Sequence, residues 1–279
     1  MKTGRPRVHL VTFATNQFRH RQAILSLSAR LNGVCGEVSE WTVSRLQSEG
    51  FEKSVPGIGL DERGAGFYAW KPFVICQALK IAGDGDVVLY CDVGRVYPFK
   101  LLDQPLDPFL DWMRGRGQDV MPGIEIPWDG PMIRWTKRDA LMALGMDTPE
   151  VHFSTPIQAS FSIWRVSQSS RAFASEWLGL CGQRQLVSDD PCLAPEGEYP
   201  EFQENRWDQA LLSLLCMKRG IRGIFLGVHP PSFDAKNPSE VLKIKWPDKI
   251  DRTQSFSGMA LRTASQMMSL IEKPFRGRK

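Results

Sequence analysis

FYAWKPFVICQALKIAGDGDVVLYCDVG, residues 67–94, places a helix, a tight turn and a strand in direct succession. Pro72 suits a first helical turn, where its missing N–H leaves no bond unmade. Val74, Ile75, Ala78 and Leu79 recur at helical spacing, and Gly83 ends the pattern. The turn GDGD (83–86) leads into VVLYC (87–91), a continuous apolar run. Such a run fits a central parallel strand covered on both faces. It stops at Asp92-Val93-Gly94. In open α/β sheets, ligands bind beyond the carboxyl ends of the strands. Asp92 is therefore a candidate functional carboxylate, and equally a turn-forming aspartate.

Working outward, strand and helix patterns alternate. VHLVTFA (8–14) reads as a buried strand. Asn16 can cap a helix running to Leu31, with Ile24, Leu27, Ser28 and Leu31 on one face. A variable Gly- and Pro-containing region precedes DERGAGFY (61–68), and 98–135 reads as loops with one short helix. TKRDALMALG (136–145) is a short helix with a Thr-x-x-Asp capping pattern at Thr136 and Asp139. IQASFSIWRV (157–166) reads as a strand, and Ser167 caps a helix ending near Cys181. After a loop over 188–205, NRWDQALLSLLCMKRG (205–220) forms a helix with Trp207, Ala210, Leu211, Leu214 and Leu215 on one face. There Asn205 can be the cap and Asp208 the third helical residue. IFLGV (224–228) reads as a strand, and 258–272 is amphipathic. The alternation predicts an α/β fold with a mostly parallel central sheet, helices on its flanks and long loops over its carboxyl edge.

Composition narrows the function classes. The chain has 279 residues and a net charge of +4. Lys2, Arg5, Arg7, Lys273, Arg276, Arg278 and Lys279 lie in the terminal heptads, which carry no acidic residue. Residues 8–272 thus hold 28 basic and 31 acidic groups, a net of −3, out of totals of 35 and 31. A nucleic-acid groove needs a basic face on the body, so no nucleic-acid partner is expected. Basic ends suit an anionic membrane surface or simple solubility. No apolar run approaches the ~20 residues of a membrane span, and the amino end lacks a signal-peptide pattern, which predicts a cytoplasmic protein. The six cysteines are spread without a CxxC pair, as reduced core cysteines are. HExxH, GxSxG, GxxxxGK[ST] and GxGxxG are absent.

The order and spacing of FYAWKPFVICQAL…GDGDVVLYCDVG, then TKRDALMALGMDTPE with PIQASFSIWR, then RWDQALLSLL, resemble GT-A-fold, nucleotide-sugar-dependent glycosyltransferases. The resemblance implies one Rossmann-like domain over 1–279. Its parts would be a nucleotide-binding half (8–97), an acceptor and catalytic half (98–257), and an amphipathic helix with a basic tail (258–279). It implies transfer of a sugar from a nucleoside-diphosphate sugar to an acceptor hydroxyl, in bacterial surface polysaccharide, lipopolysaccharide or glycolipid synthesis. Thr12, Ala14, Thr15 and Asn16 would hold the nucleotide base, although Asn16 also reads as a plain cap. Lys71 would face ribose or phosphate; a cation at a helix start runs against the dipole. Asp92 matches the first carboxylate of the Asp-x-Asp motif that holds Mg²⁺ or Mn²⁺. Gly94 stands where the second carboxylate would be. His229 or a water would complete the metal site, or Lys71 and Arg95 would neutralise the diphosphate without metal. Asp208 and Gln209 would lie beside the reacting sugar. Gln158 and Ser160 would line the pocket, and Asp190, in the same loop as Asp189, is a candidate base. The acceptor would be a glycan or lipid-linked saccharide, reached in part by peripheral membrane contact through the tail. Two other classes fit less fully: a nucleotidyltransferase, which would want a glycine-rich loop after the first strand, and a non-catalytic glycan- or nucleotide-sugar-binding protein with a degenerate site.

Overall fold

The computed structural model describes residues 6–31, 33–93 and 106–224. Its centre is an open five-stranded sheet in the order β2-β1-β3-β7-β4. The strands are β1 (Val8–Phe13), β2 (Glu37–Trp41), β3 (Val87–Cys91), β4 (Val120–Met121) and β7 (Phe161–Arg165). β1 pairs in parallel with both β2 and β3, while β7 runs antiparallel to β3 and β4. Four strands thus share one direction and β7 opposes them. A separate ribbon joins β5 (Ile124–Glu125) to β6 (Ile157–Gln158).

β3 is buried along its whole length, as an all-apolar strand must be when helices cover both faces. Val88 and Tyr90 point to one side, with Val11, Phe13 and Trp164. The helices Trp70–Ile81, Gln168–Cys181 and Trp207–Lys218 pack on that side. Val87, Leu89 and Cys91 point to the other, against Leu25 and Ala29 of the Arg19–Leu31 helix and Phe109 and Met113 of the Asp107–Gly115 helix. Ser167 caps its helix in a reciprocal capping box with Ser170. The Trp70–Ile81 helix is buried on nearly every side, which is why its sequence is apolar beyond one stripe.

Several expectations are corrected. The variable region contains the edge strand β2 and two short helices, Val43–Ser48 and Phe51–Ser54. The 157–166 segment is two strands in two sheets, separated by a turn at Ala159 and Ser160. In the Arg19–Leu31 helix, Leu27 and Leu31 are exposed, and Gln22, Leu25, Ser26, Ser28 and Ala29 form the buried face. Gln22 faces inward because its amide donates to the Thr12 and Trp41 carbonyls at the ends of β1 and β2. Asn16 does not cap that helix: it opens a single 3₁₀ turn, Asn16–Phe18, whose cap position is Thr15. Asn205 is not a cap either; its amide donates to the carbonyls of Val187 and Ser188, at 3.1 and 3.2 Å, and pins the loop between the helices. The N-cap position of the Arg138–Ala143 helix is Lys137 rather than Thr136, with no side-chain capping bond, and Asp139 instead accepts from Gln185 and the Leu193 N–H. The 225–228 part of the last expected strand and the 258–279 helix and tail lie outside the described residues.

Candidate functional site

At the carboxyl edge of β1 and β3 a buried lysine lies beside two carboxylates. Lys71 Nζ is 3.1 Å from Asp208 Oδ2 and 3.8 Å from Asp92 Oδ2. Each comes from a different element: the first turn of the Trp70–Ile81 helix, the residue after β3, and the first turn of the Trp207–Lys218 helix. Lys71 and Asp208 expose only 6% and 4% of their side chains, whereas Asp92 exposes 25%. Asp92 is therefore the member of the trio that a ligand can reach.

Neighbouring groups fix this geometry. The Tyr90 hydroxyl donates to Asp92 Oδ1. The Asp92 N–H donates to the Ser160 carbonyl at 2.8 Å, which ties Asp92 to the turn before β7. Tyr68, Trp70 and Tyr90 surround the ammonium, with ring centroids 5.7, 5.8 and 5.6 Å from Nζ. Such faces stabilise a desolvated cation. Trp177 Nε1 donates to the Asp208 carbonyl at 3.0 Å.

The electrostatics follow from burial and pairing. Burial opposes the charge on Lys71, but Asp208 and Asp92 outweigh it and raise its pKa above the ordinary lysine value. Burial pushes the Asp208 carboxyl up to about 6, against the downward pull of Lys71. Burial, reinforced by Asp92, raises the Tyr90 phenol well above its usual range, so it remains a donor.

A strained turn ends beside the trio, at Tyr68. Gly64, Ala65, Gly66, Phe67 and Tyr68 all have positive φ, and Trp207 has φ 45°. A left-handed residue with a Cβ costs about 1–2 kcal/mol, and such strain concentrates where surrounding structure holds it for function. Trp70 Nε1 fastens the turn by donating to the Gly64 carbonyl at 2.8 Å. Arg63, at the head of the turn, lies over the Trp207 ring with its guanidinium carbon 4.4 Å from the centroid. Trp207 Nε1 donates to Asp189 Oδ1 at 2.8 Å, and Asp189 Oδ2 is 3.6 Å from Arg63.

The other sequence candidates divide clearly. The register pairs Val11 with Tyr90, so Thr12, Ala14 and Thr15 follow the same sheet edge as Asp92. Thr12 is buried and Asn16 exposed. The hydroxyls of Thr12 and Thr15 have no hydrogen-bond partner among the described residues. Gln158 is buried on β6, which Ser213 of the Trp207–Lys218 helix holds through the Ile157 N–H at 3.0 Å. Gln209 is half-buried, next to Asp208. Asp190 is set apart: its carboxylate is gripped by Arg184 at 2.8 and 3.2 Å. Gly94, Arg95 and His229 lie outside the described residues. Arg63, Tyr68 and Tyr90 belong to this environment without having been singled out from sequence. GAG at 64–66 is the signal for the turn, and the tyrosine near the end of the apolar strand before Asp92 is the signal for Tyr90.

The described residues around Asp92 do not by themselves fit a divalent cation. One Asp92 oxygen accepts from Tyr90, and the other faces the Lys71 ammonium, which already lies beside the second carboxylate. Among the described residues, no group of three or more His, Cys, Asp or Glu could hold a metal ion. Hard cations of this kind take six or more oxygen ligands, several of them from protein or substrate.

No protein-family model matches the chain, and no curated protein matches it. Among solved structures it is distantly similar to one described as the apo structure of WbbM, a bifunctional glycosyltransferase, with TM-score 0.39 and 13% identity. The match covers 80% of this chain, which spans 40% of that structure.

Proposed function

We propose that this protein is a GT-A-like glycosyltransferase that moves a sugar from a nucleoside-diphosphate sugar to an acceptor hydroxyl. One observation carries the reading: Lys71 and Asp92, from the two ends of the first stretch of the resemblance, and Asp208, from the last, meet at the carboxyl edge of β1 and β3. Packing alone gives little reason to bury one lysine and two carboxylates together, because desolvation of ionised groups offsets much of their attraction. Asp92, the exposed member, faces the donor. Asp208 and Tyr90 hold Lys71 and Asp92 in place. The end of β1, Thr12 to Asn16, lies along the same edge and is assigned to the base. Gln209 and Gln158 border the sugar. The acceptor is assigned to a surface glycan or lipid-linked saccharide.

The test is thermal unfolding with UDP, GDP, ADP, CDP and dTDP, followed by release of the diphosphate from the matching nucleotide sugars. A ligand that binds only the folded state at ~100 times its Kd stabilises by about 2.7 kcal/mol. The proposal expects one nucleotide to raise Tm and its sugar conjugate to be turned over. Stabilisation without turnover in the presence of saccharide acceptors would favour a non-catalytic binding protein. No shift with any nucleotide would overturn the reading.

A further inference from the structure

Holding a diphosphate requires positive charge at the mouth, and the Lys71–Asp92–Asp208 trio supplies little. It contains one cation and two carboxylates, and the cation is enclosed by aromatic rings. A divalent ion would have to enter where the ammonium already lies, beside an Asp92 oxygen and Asp208.

Among the described residues, Arg63 can supply further charge; Arg95 lies outside them. The Arg63 side chain is 57% exposed, and its guanidinium carbon sits 4.4 Å from the Trp207 ring centroid. The Trp207 ring lies 5.3 Å from that of Tyr68, whose centroid is 5.7 Å from Lys71 Nζ, so two aromatic rings link Arg63 to the trio. Its ion pair with Asp189, at 3.6 Å, is longer than a direct hydrogen bond and leaves the guanidinium donors available. The ring contact restrains the group, and a planar fork of donors matches two phosphate oxygens. The turn that follows keeps Ala65, Phe67 and Tyr68 left-handed against their preference, which sets the backbone path leading out of Arg63.

We propose that Arg63 is a phosphate-binding residue of this site, which lets the protein hold a nucleoside diphosphate without a divalent cation. This rests on the glycosyltransferase reading above.

Isothermal titration of the full chain with UDP, GDP, ADP, CDP and dTDP tests it, once in EDTA and once with Mg²⁺ or Mn²⁺. Arg63→Ala is measured in parallel, and thermal unfolding without ligand checks its fold. The expected result is binding of at least one nucleotide in EDTA, with an affinity that added metal changes by less than about tenfold. Arg63→Ala should weaken that binding by about ten- to a hundredfold, as loss of a charged hydrogen bond does, and Arg63→Lys should restore part of it. Binding that appears only with Mg²⁺ or Mn²⁺ would overturn the metal-free proposal and leave the glycosyltransferase reading standing. Unchanged affinity in a folded Arg63→Ala protein would overturn the role of Arg63. Failure of every nucleotide under both conditions would instead overturn the glycosyltransferase reading.

Discussion

Lys71 serves two carboxylates at once, so each of the three groups has a distinct signature when removed. Lys71→Met leaves Asp208 buried without its cation. Breaking a buried pair in this way costs about 3–5 kcal/mol, and chemical denaturation should show a loss of that order. Asp208 gives a pH signature instead. Its folded-state pKa is raised to about 6 from an ordinary 3.8, so the folded protein binds this proton more tightly than the unfolded chain does. The stabilisation is present at low pH and lost as pH rises through about 6. Asp86, Asp139 and Asp147 act in the opposite sense. Each is partly buried, yet hydrogen bonds, the foremost from Arg7, Gln185 and Tyr199 respectively, hold it below the usual carboxylate range. The informative quantity is therefore the stability of wild type relative to Asp208→Asn. It should increase as pH falls from about 6 towards 4, and a flat difference across that window would contradict the assignment.

The left-handed turn at Gly64–Tyr68 is where local preference and tertiary demand conflict most. Gly66 has φ +89°, and a Cβ there would meet Ile58 at 3.0 Å and the Gly59 carbonyl at 3.2 Å. Gly66→Ala should destabilise by about 1–3 kcal/mol. Ala65→Gly, one residue earlier, removes a Cβ from a left-handed position worth ~1–2 kcal/mol and should leave Tm unchanged or higher. Equal losses from both would show that the turn is not left-handed in solution. Elements whose pattern and packing agree were legible in the sequence: the Trp70–Ile81 helix, β3 and the Ser167 cap all follow from spacing. Elements shaped by a distant partner were not. The glycines at 64 and 66 permit a left-handed turn, but nothing local forces Ala65, Phe67 and Tyr68 into it. The Arg19–Leu31 helix turns polar Gln22 inward to satisfy two carbonyls, which inverts the face its leucines suggest. β2 is an edge strand with only Trp41 fully buried, so its apolar signal is faint.

At the scale of the molecule, strands from both halves of the chain share one sheet, and the trio forms only when they meet. Asp92 was visible as the residue released by a buried strand, and Asp208 as an acidic residue opening an apolar helix. Their contact through Lys71 was not visible, because no spacing rule joins residues so far apart in the chain. None of the described helices is long and apolar enough to cross a membrane. Residues 273–279, KPFRGRK, lie outside the described residues and carry four cations. With each Lys or Arg worth ~1 kcal/mol near an anionic leaflet, the full chain should co-sediment with anionic vesicles more than a chain ending at Glu272, and added salt should narrow the gap. Equal sedimentation would remove any membrane role from this tail.

The central claim, that the Lys71–Asp92–Asp208 trio is the reacting site of sugar transfer, is tested most directly by diphosphate release from a panel of nucleotide sugars. Wild type and Asp92→Asn are compared, each shown to be folded by its unfolding midpoint. The account predicts that wild type releases the diphosphate from one donor, and that Asp92→Asn does so at least about a hundredfold more slowly with nearly the same Tm. A folded Asp92→Asn protein working at the wild-type rate would contradict it.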